Sequence, residues 1–171
     1  MVITSTDTNS ASTAQTFTVV VANTNDAPVV TSTAVTAVDE DAAYSYTVTA
    51  TDVDVGDTLT MSGTTVPSWL TFDATTGILS GTPLNANVGA NSVVITINDG
   101  TVDVTDAFTI TVANTNDAPT FTSTAVTAVD EDAAYSYTAA ASDDDGDTVT
   151  LVGTTIPAWM TFDEGTAGVD L

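Results

Sequence analysis

The sequence predicts an all-β protein made of tandem antiparallel β-sandwich repeats, one complete and two partial. Three observations predict it. Thr and Val dominate a chain that is 43% hydrophobic, and both residues suit a pleated, half-buried strand. The apolar positions fall in short alternating runs divided by Asp, Gly, Asn and Pro clusters. The chain also repeats itself: residues 21–28 return unchanged as 112–119, and residues 31–47 return as 122–138, both 91 residues later. A period near ninety suits a whole domain rather than a solenoid coil.

Residues 1–24 parallel residues 92–115, with 17–23 matching 108–114. They are expected to be the C-terminal strands of a preceding repeat. Residues 25–115 are expected to form the complete repeat. Its predicted strands include 44–49, 59–62, 78–80, 93–97 and 107–112, about seven in all, which suggests a β-sandwich. Asn98-Asp99-Gly100 reads as a hairpin turn, because Asp-Gly readily takes the positive φ such turns need. Residues 116–171 are expected to be the N-terminal part of a following, truncated repeat. There, residues 157–163 match 67–73 at a spacing of 90, because the acidic loop at 52–57 has one residue more than that at 143–147. The last repeat has no match to residues 81–112. Trp69, Phe72, Trp159 and Phe162 are expected in the cores.

Composition excludes much chemistry. The chain has no Lys, Arg, His or Cys, 23 acidic residues and a formal net charge of -23. No Ser-His or Cys-His pair, Schiff base or imidazole-bound zinc can form. No cationic phosphate clamp can form either, so nucleic acid and anionic membranes are poor partners. No apolar run could span a membrane and no basic-then-apolar leader opens the chain. The acids cluster at turns without internal counter-ions. They therefore call for external cations, which millimolar calcium outside cells supplies; the alternative is a halophilic acidic protein, though acids at specific turns rather than over every surface favour the calcium reading.

These motifs resemble the dystroglycan-type cadherin-like (Ig-like) repeat of large bacterial surface adhesins. The resemblance rests on Asp143-Asp144-Asp145-Gly146-Asp147, on Val66-Pro67-Ser68-Trp69 and Thr76-Gly77-Ile78-Leu79-Ser80-Gly81-Thr82-Pro83, on Asn98-Asp99-Gly100 and on Asn114-Thr115-Asn116-Asp117-Ala118-Pro119. It implies tandem Ig/cadherin-like sandwiches with Ca2+ bound between neighbours, outside the cell, and no enzyme activity. At the first junction it implies Asn23, Asn25, Asp26, Asp52, Asp54 and Asp99. At the second it implies Glu40, with Asp39 or Asp41, then Asn114, Asn116, Asp117, Asp143 and Asp145. The acid-rich motif expected mid-domain is replaced by residues 79–83, so one or two ions per junction are expected. Independently, calcium needs six to eight oxygen ligands gathered from several loops. An Asp-x-Asp in extended chain would point both carboxylates to one face. The loop at 143–147 is no EF-hand, since its Gly stands fourth and no Glu closes it.

Two other function classes compete. Tyr44 and Tyr46 alternate along one strand and would give a carbohydrate-binding module its aromatic face, if exposed. A carboxylate-only hydrolase would use Asp163 and Glu164, or Asp39 and Asp41, but adjacent turn acids do not make a facing pair. Lastly, the N-terminal strands are those the last repeat lacks. Copies could join head to tail by strand complementation, the alternative being a fragment of a longer chain.

Overall fold

Strict alternation of burial builds the middle of the molecule. The computed structural model describes residues 1–170. Its strands, in chain order, are β1 (Val2–Thr6), β2 (Ser12–Thr16), β3 (Val29–Val30), β4 (Ala37–Asp39), β5 (Tyr44–Thr47), β6 (Ala50–Thr51), β7 (Thr60–Thr65), β8 (Leu70–Asp73), β9 (Ile78–Gly81), β10 (Gly89–Asn98), β11 (Asp103–Ala113), β12 (Thr120–Phe121), β13 (Ser136–Thr138), β14 (Ala141–Ser142), β15 (Thr161–Asp163) and β16 (Gly168–Asp170). One sheet of the middle unit runs β4-β11-β10-β7. Facing it are the β5-β9-β8 sheet and the β3-β6 pair. All these pairings are antiparallel except β4 with β11, which is parallel.

Period-two patterning places the core between these layers. Val93, Ile95 and Ile97 of β10 and Ile110 and Val112 of β11 are buried, as are Tyr44 and Tyr46 of β5, Val48, Leu70 and Leu79. Each such side chain stabilises by about 1.5–3 kcal/mol relative to exposure. Tyr46 packs edge-on against Phe108, and Tyr44 edge-on against Trp69. The Tyr44 hydroxyl donates to the Val35 carbonyl at 2.8 Å, and burial pushes its pKa up to about 12. The Trp69 indole donates to Asn91 Oδ1 at 3.0 Å. Gly81 is required where β9 passes Trp69, because a Cβ there would lie 2.1 Å from the Trp69 carbonyl oxygen.

The hairpin between β10 and β11 turns at Asp99, with Gly100 at φ +101°. Asp99 Oδ1 accepts from the Thr101 and Val102 amides at 2.6 and 2.7 Å. The N-terminal hairpin β1–β2 has a related turn one residue longer. Asp7 Oδ1 accepts from the Asn9 and Ala11 amides at 2.9 and 2.8 Å, and Ile3 pairs with Gln15 as Ile95 pairs with Asp106. Every residue of β1 and β2 is exposed.

After the linker, β13-β16-β15 and the β12–β14 pair repeat the arrangement of β5-β9-β8 and β3–β6. Residues 128–130 repeat the β4 sequence, and residues 150–155 keep four of the six β7 residues, yet neither is a strand. The reason is pairing: β4 exists on β11 and β7 on β10, and no described residues stand in those places. Trp159 is therefore not in a core, contrary to expectation. It is 59% exposed, while Trp69 packs against the core.

Candidate metal centre

Glu40 is the pivot of the second junction. It follows β4 directly, and Asp41 behind it takes a left-handed φ of 59°, which Asp tolerates better than most residues. The Asp41 amide donates to the Pro83 carbonyl at 2.8 Å, and the Glu40 amide to the Ala113 carbonyl at 2.9 Å. These bonds aim the Glu40 side chain at the linker, where Oε1 accepts from the Thr115 amide at 2.6 Å. Glu40 is only 2% exposed, and its Oε2 is buried without any hydrogen-bond partner. A buried carboxylate oxygen left unpaired is costly.

Glu40 stands among other acids. Carboxylate oxygens of Glu40, Asp117 and Asp145 lie within 4.8 Å of one another. Asp145 comes from the last unit, where its Oδ2 accepts from the Asp117 amide at 2.6 Å. Asp117 has its pKa raised, first by burial, then by Asp41, Asp145, Glu40 and Asp144. Three carboxylates thus converge, with Asp41 and Asp144 near enough to raise the Asp117 pKa, and the chain has no Lys, Arg or His to balance them. Such an oxygen-only set suits a hard divalent cation.

The remaining expected ligands fall in two groups. Asp143 Oδ1 instead holds its own loop, accepting from the Asp145 and Asp147 amides at 3.0 and 3.3 Å. Asn116 turns its amide onto the Asp117 carbonyl at 2.9 Å, and Asn114 stands exposed on the linker. Asp39 ends β4, and Asp41 lines a cleft beside the cluster together with Asp117, Asp144 and Asn85.

At the first junction the linker meets the loop after β6. The Asn23 amide donates to Asp54 Oδ1 at 2.8 Å, and the Asp26 amide donates to Asp54 Oδ2 at 2.6 Å. Asn25 reaches Asp99 Oδ2 at 3.0 Å. This bond, then those from the turn amides, lowers the Asp99 pKa. Asp52, Asp54 and Asp57 bring carboxylate oxygens within 4.8 Å of one another, and Asp52 Oδ2 is buried without a partner. Asp57 has its pKa raised by burial first and then by Asp54, Asp52 and Asp99.

The extended Asp-x-Asp expected from the sequence is corrected by the structure. Asp52 and Asp54 sit in a bend closed by the Asp54 amide on Asp52 Oδ1 at 2.8 Å, and Asp143 and Asp145 do the same. A side-chain-to-backbone bond, not strand alternation, sets each pair. Sequence reasoning missed two residues. Asp57 could have been found as the last acid of its loop, in register with Asp147. Asn85 carries no charge to mark it, yet its amide donates to the Asp144 carbonyl at 2.6 Å and to Asp145 Oδ1 at 3.3 Å across the junction.

Elsewhere, Tyr44 and Tyr46 are buried, so they form no exposed aromatic face. The Asp163 carboxylate is held by its own turn through Gly165 and Thr166. Among the described residues no helix is long and apolar enough to cross a membrane.

Residues 27–113 and 118–169 match the family model described as "Putative Ig domain". No curated protein matches the chain. Among solved structures, endo-fucoidan hydrolase MfFcnA4 of glycoside hydrolase family 107, as its H294Q form, is 26% identical over 96% of this chain, with a TM-score of 0.46. The chain spans only 27% of that hydrolase. Human protocadherin-24 EC1-2 is 20% identical over 86% of this chain and 78% of its own, with a TM-score of 0.48.

Proposed function

The chain belongs to the Putative Ig domain family, and we propose that it is a calcium-binding structural and adhesive repeat module of a bacterial extracellular surface protein. Ca2+ would lock neighbouring repeats at the linkers. The observation that carries this reading is the cluster of Glu40, Asp117 and Asp145 carboxylates, within which Glu40 is buried with its Oε2 left partnerless. Two of those acids belong to the middle unit and its linker and the third to the last unit, so an ion there would tie domain to domain. At the first junction Asp52, Asp54 and Asp57 would take the equivalent role, with Asn23, Asn25, Asp26 and Asp99 ordering the linker against them. Asn114, Asn116 and Asp143 would complete the second site through amide and carboxylate oxygens. A chain of this composition supplies no cation of its own, which favours an extracellular, calcium-rich setting and a non-catalytic role.

Thermal melting in millimolar calcium and in chelator tests it. Each occupied site stabilises by about 1.4 kcal/mol at ten times its dissociation constant. Identical melts in the two conditions would remove the calcium reading. A carbohydrate-binding accessory role would then lead, though without the tyrosine face it was expected to use.

A further inference from the structure

We propose that residues 83–87 of the middle unit form a metal-independent latch, in which Asn85 grips the acidic loop of the last unit and positions Asp145 for the ion. Its effect on the ion rests on the calcium reading; the latch itself does not. The segment is closed on itself. The Asn87 amide donates to the Leu84 carbonyl at 2.7 Å, and the Leu84 amide to Asn87 Oδ1 at 2.9 Å. It is also tied to the core. Asn91 Nδ2 donates to the Asn87 carbonyl at 2.8 Å, while Asn91 Oδ1 accepts from the Trp69 indole at 3.0 Å. Pro83, at its start, is fully buried.

This segment touches both acid-bearing loops. The Pro83 carbonyl accepts the Asp41 amide at 2.8 Å, in the turn that carries Glu40. Asn85 donates to the Asp144 carbonyl at 2.6 Å and, less closely, to Asp145 Oδ1 at 3.3 Å. Among the described residues, both side-chain hydrogen bonds of Asn85 cross to the last unit, so they add nothing within its own. Asp145 is thereby held at both oxygens, since its Oδ2 accepts from the Asp117 amide at 2.6 Å. Both donors are neutral amides. Asp41, Asp117 and Asp144 line the same cleft, and their like charges push the two units apart. The chain has no Lys or Arg to oppose that. An amide N–H can hold a carbonyl or a carboxylate there without competing with a bound cation. Just after residues 79–83, where the resemblance would place acids, the chain supplies a donor that orients acids instead.

Spin labels on Thr109→Cys and Thr161→Cys of the 171-residue chain, which has no other Cys, report the distance between units. Both positions are exposed. In chelator the parent chain should give one narrow distance distribution. Asn85→Ala should broaden it, and Asn85→Asp should broaden it more, since it keeps the shape, loses the donor and adds a charge. The urea midpoint of the middle unit, read from Trp69 in a Trp159→Phe background, should not move with Asn85→Ala. In calcium, Asn85→Ala should bind the second-junction ion about tenfold more weakly, the worth of a hydrogen bond to a charged group. Distance distributions in chelator unchanged by both variants would overturn the latch, whatever the chain does with calcium. A lowered urea midpoint would overturn it too, by showing a merely structural residue. Broadening in chelator with unchanged calcium affinity would overturn the positioning role. Broadening in a chain that binds no calcium would support the latch and remove the calcium reading alone.

Discussion

The middle and last units share seventeen consecutive residues at 31–47 and 122–138, yet they fold to different extents. In the middle unit Glu40 is buried, residues 37–39 are a strand, and Trp69 is packed. In the last unit Glu131 is exposed, residues 128–130 are unpaired, and Trp159 faces solvent. The local sequence is the same, so the difference lies in long-range partners. A strand is a property of a pair: β10 and β11 turn two stretches of compatible sequence into β7 and β4 and close the core over them. The same pairing builds the acidic cluster at the candidate metal centre, since β11 both anchors Glu40 and leads into the linker that meets it.

The largest test of this contrast is in the cores. Leu79→Ala should destabilise the middle unit by about 2–5 kcal/mol, the range for a fully buried leucine. The matching Val169→Ala should change the last unit by about 1 kcal/mol or less, because Val169 is only half-buried. Urea unfolding read from Trp69 in a Trp159→Phe background, and from Trp159 in a Trp69→Phe background, separates the two. Next comes calcium. Glu40→Gln should abolish the shift of the second junction's site, about 1.4 kcal/mol at tenfold saturation, while Glu131→Gln should leave melting in calcium unchanged.

A smaller effect lies in the turn before β16. Ala167 holds a left-handed φ of 53° where the middle unit has Gly77 at 71°. Ala167→Gly should relieve about 1 kcal/mol of strain, seen as a later Trp159 transition. The reverse change, Gly77→Ala, should destabilise, since its Cβ would lie 2.6 Å from the Val48 carbonyl oxygen.

The smallest effect should be equal in both units. Asp73 accepts the Thr75 amide and Asp163 the Gly165 amide, and these bonds lower both pKa values. A depressed carboxylate stabilises above its unfolded pKa, and that contribution is lost as pH falls through the folded value. Asp73→Asn and Asp163→Asn should each flatten the acid limb of a stability-against-pH curve by similar amounts.

Much of this was legible because the chain carries two copies of one pattern. The alternation of residues 93–97 and 107–112, the Asp99 turn, and the recurrence of acids beside the linkers were all readable. Trp159 was not, because its neighbours in sequence closely resemble those of Trp69, and what separates the two is that, among the described residues, no β10-like strand covers Trp159. The Asp52 and Asp54 geometry was misjudged because Asp carries its own turn chemistry, which strand alternation ignores. Asp57 and Asn85 were missed for opposite reasons. One was hidden inside an acidic loop, and the other is a neutral residue made relevant only by the approach of Asp144 and Asp145.

Isothermal titration of calcium into the chelator-stripped protein, alongside Glu40→Gln, tests the central claim most directly. The account predicts saturable binding to the wild type, with the second-junction ion missing from the isotherm of the variant. An isotherm unchanged by Glu40→Gln, or no saturable binding at all, would contradict it.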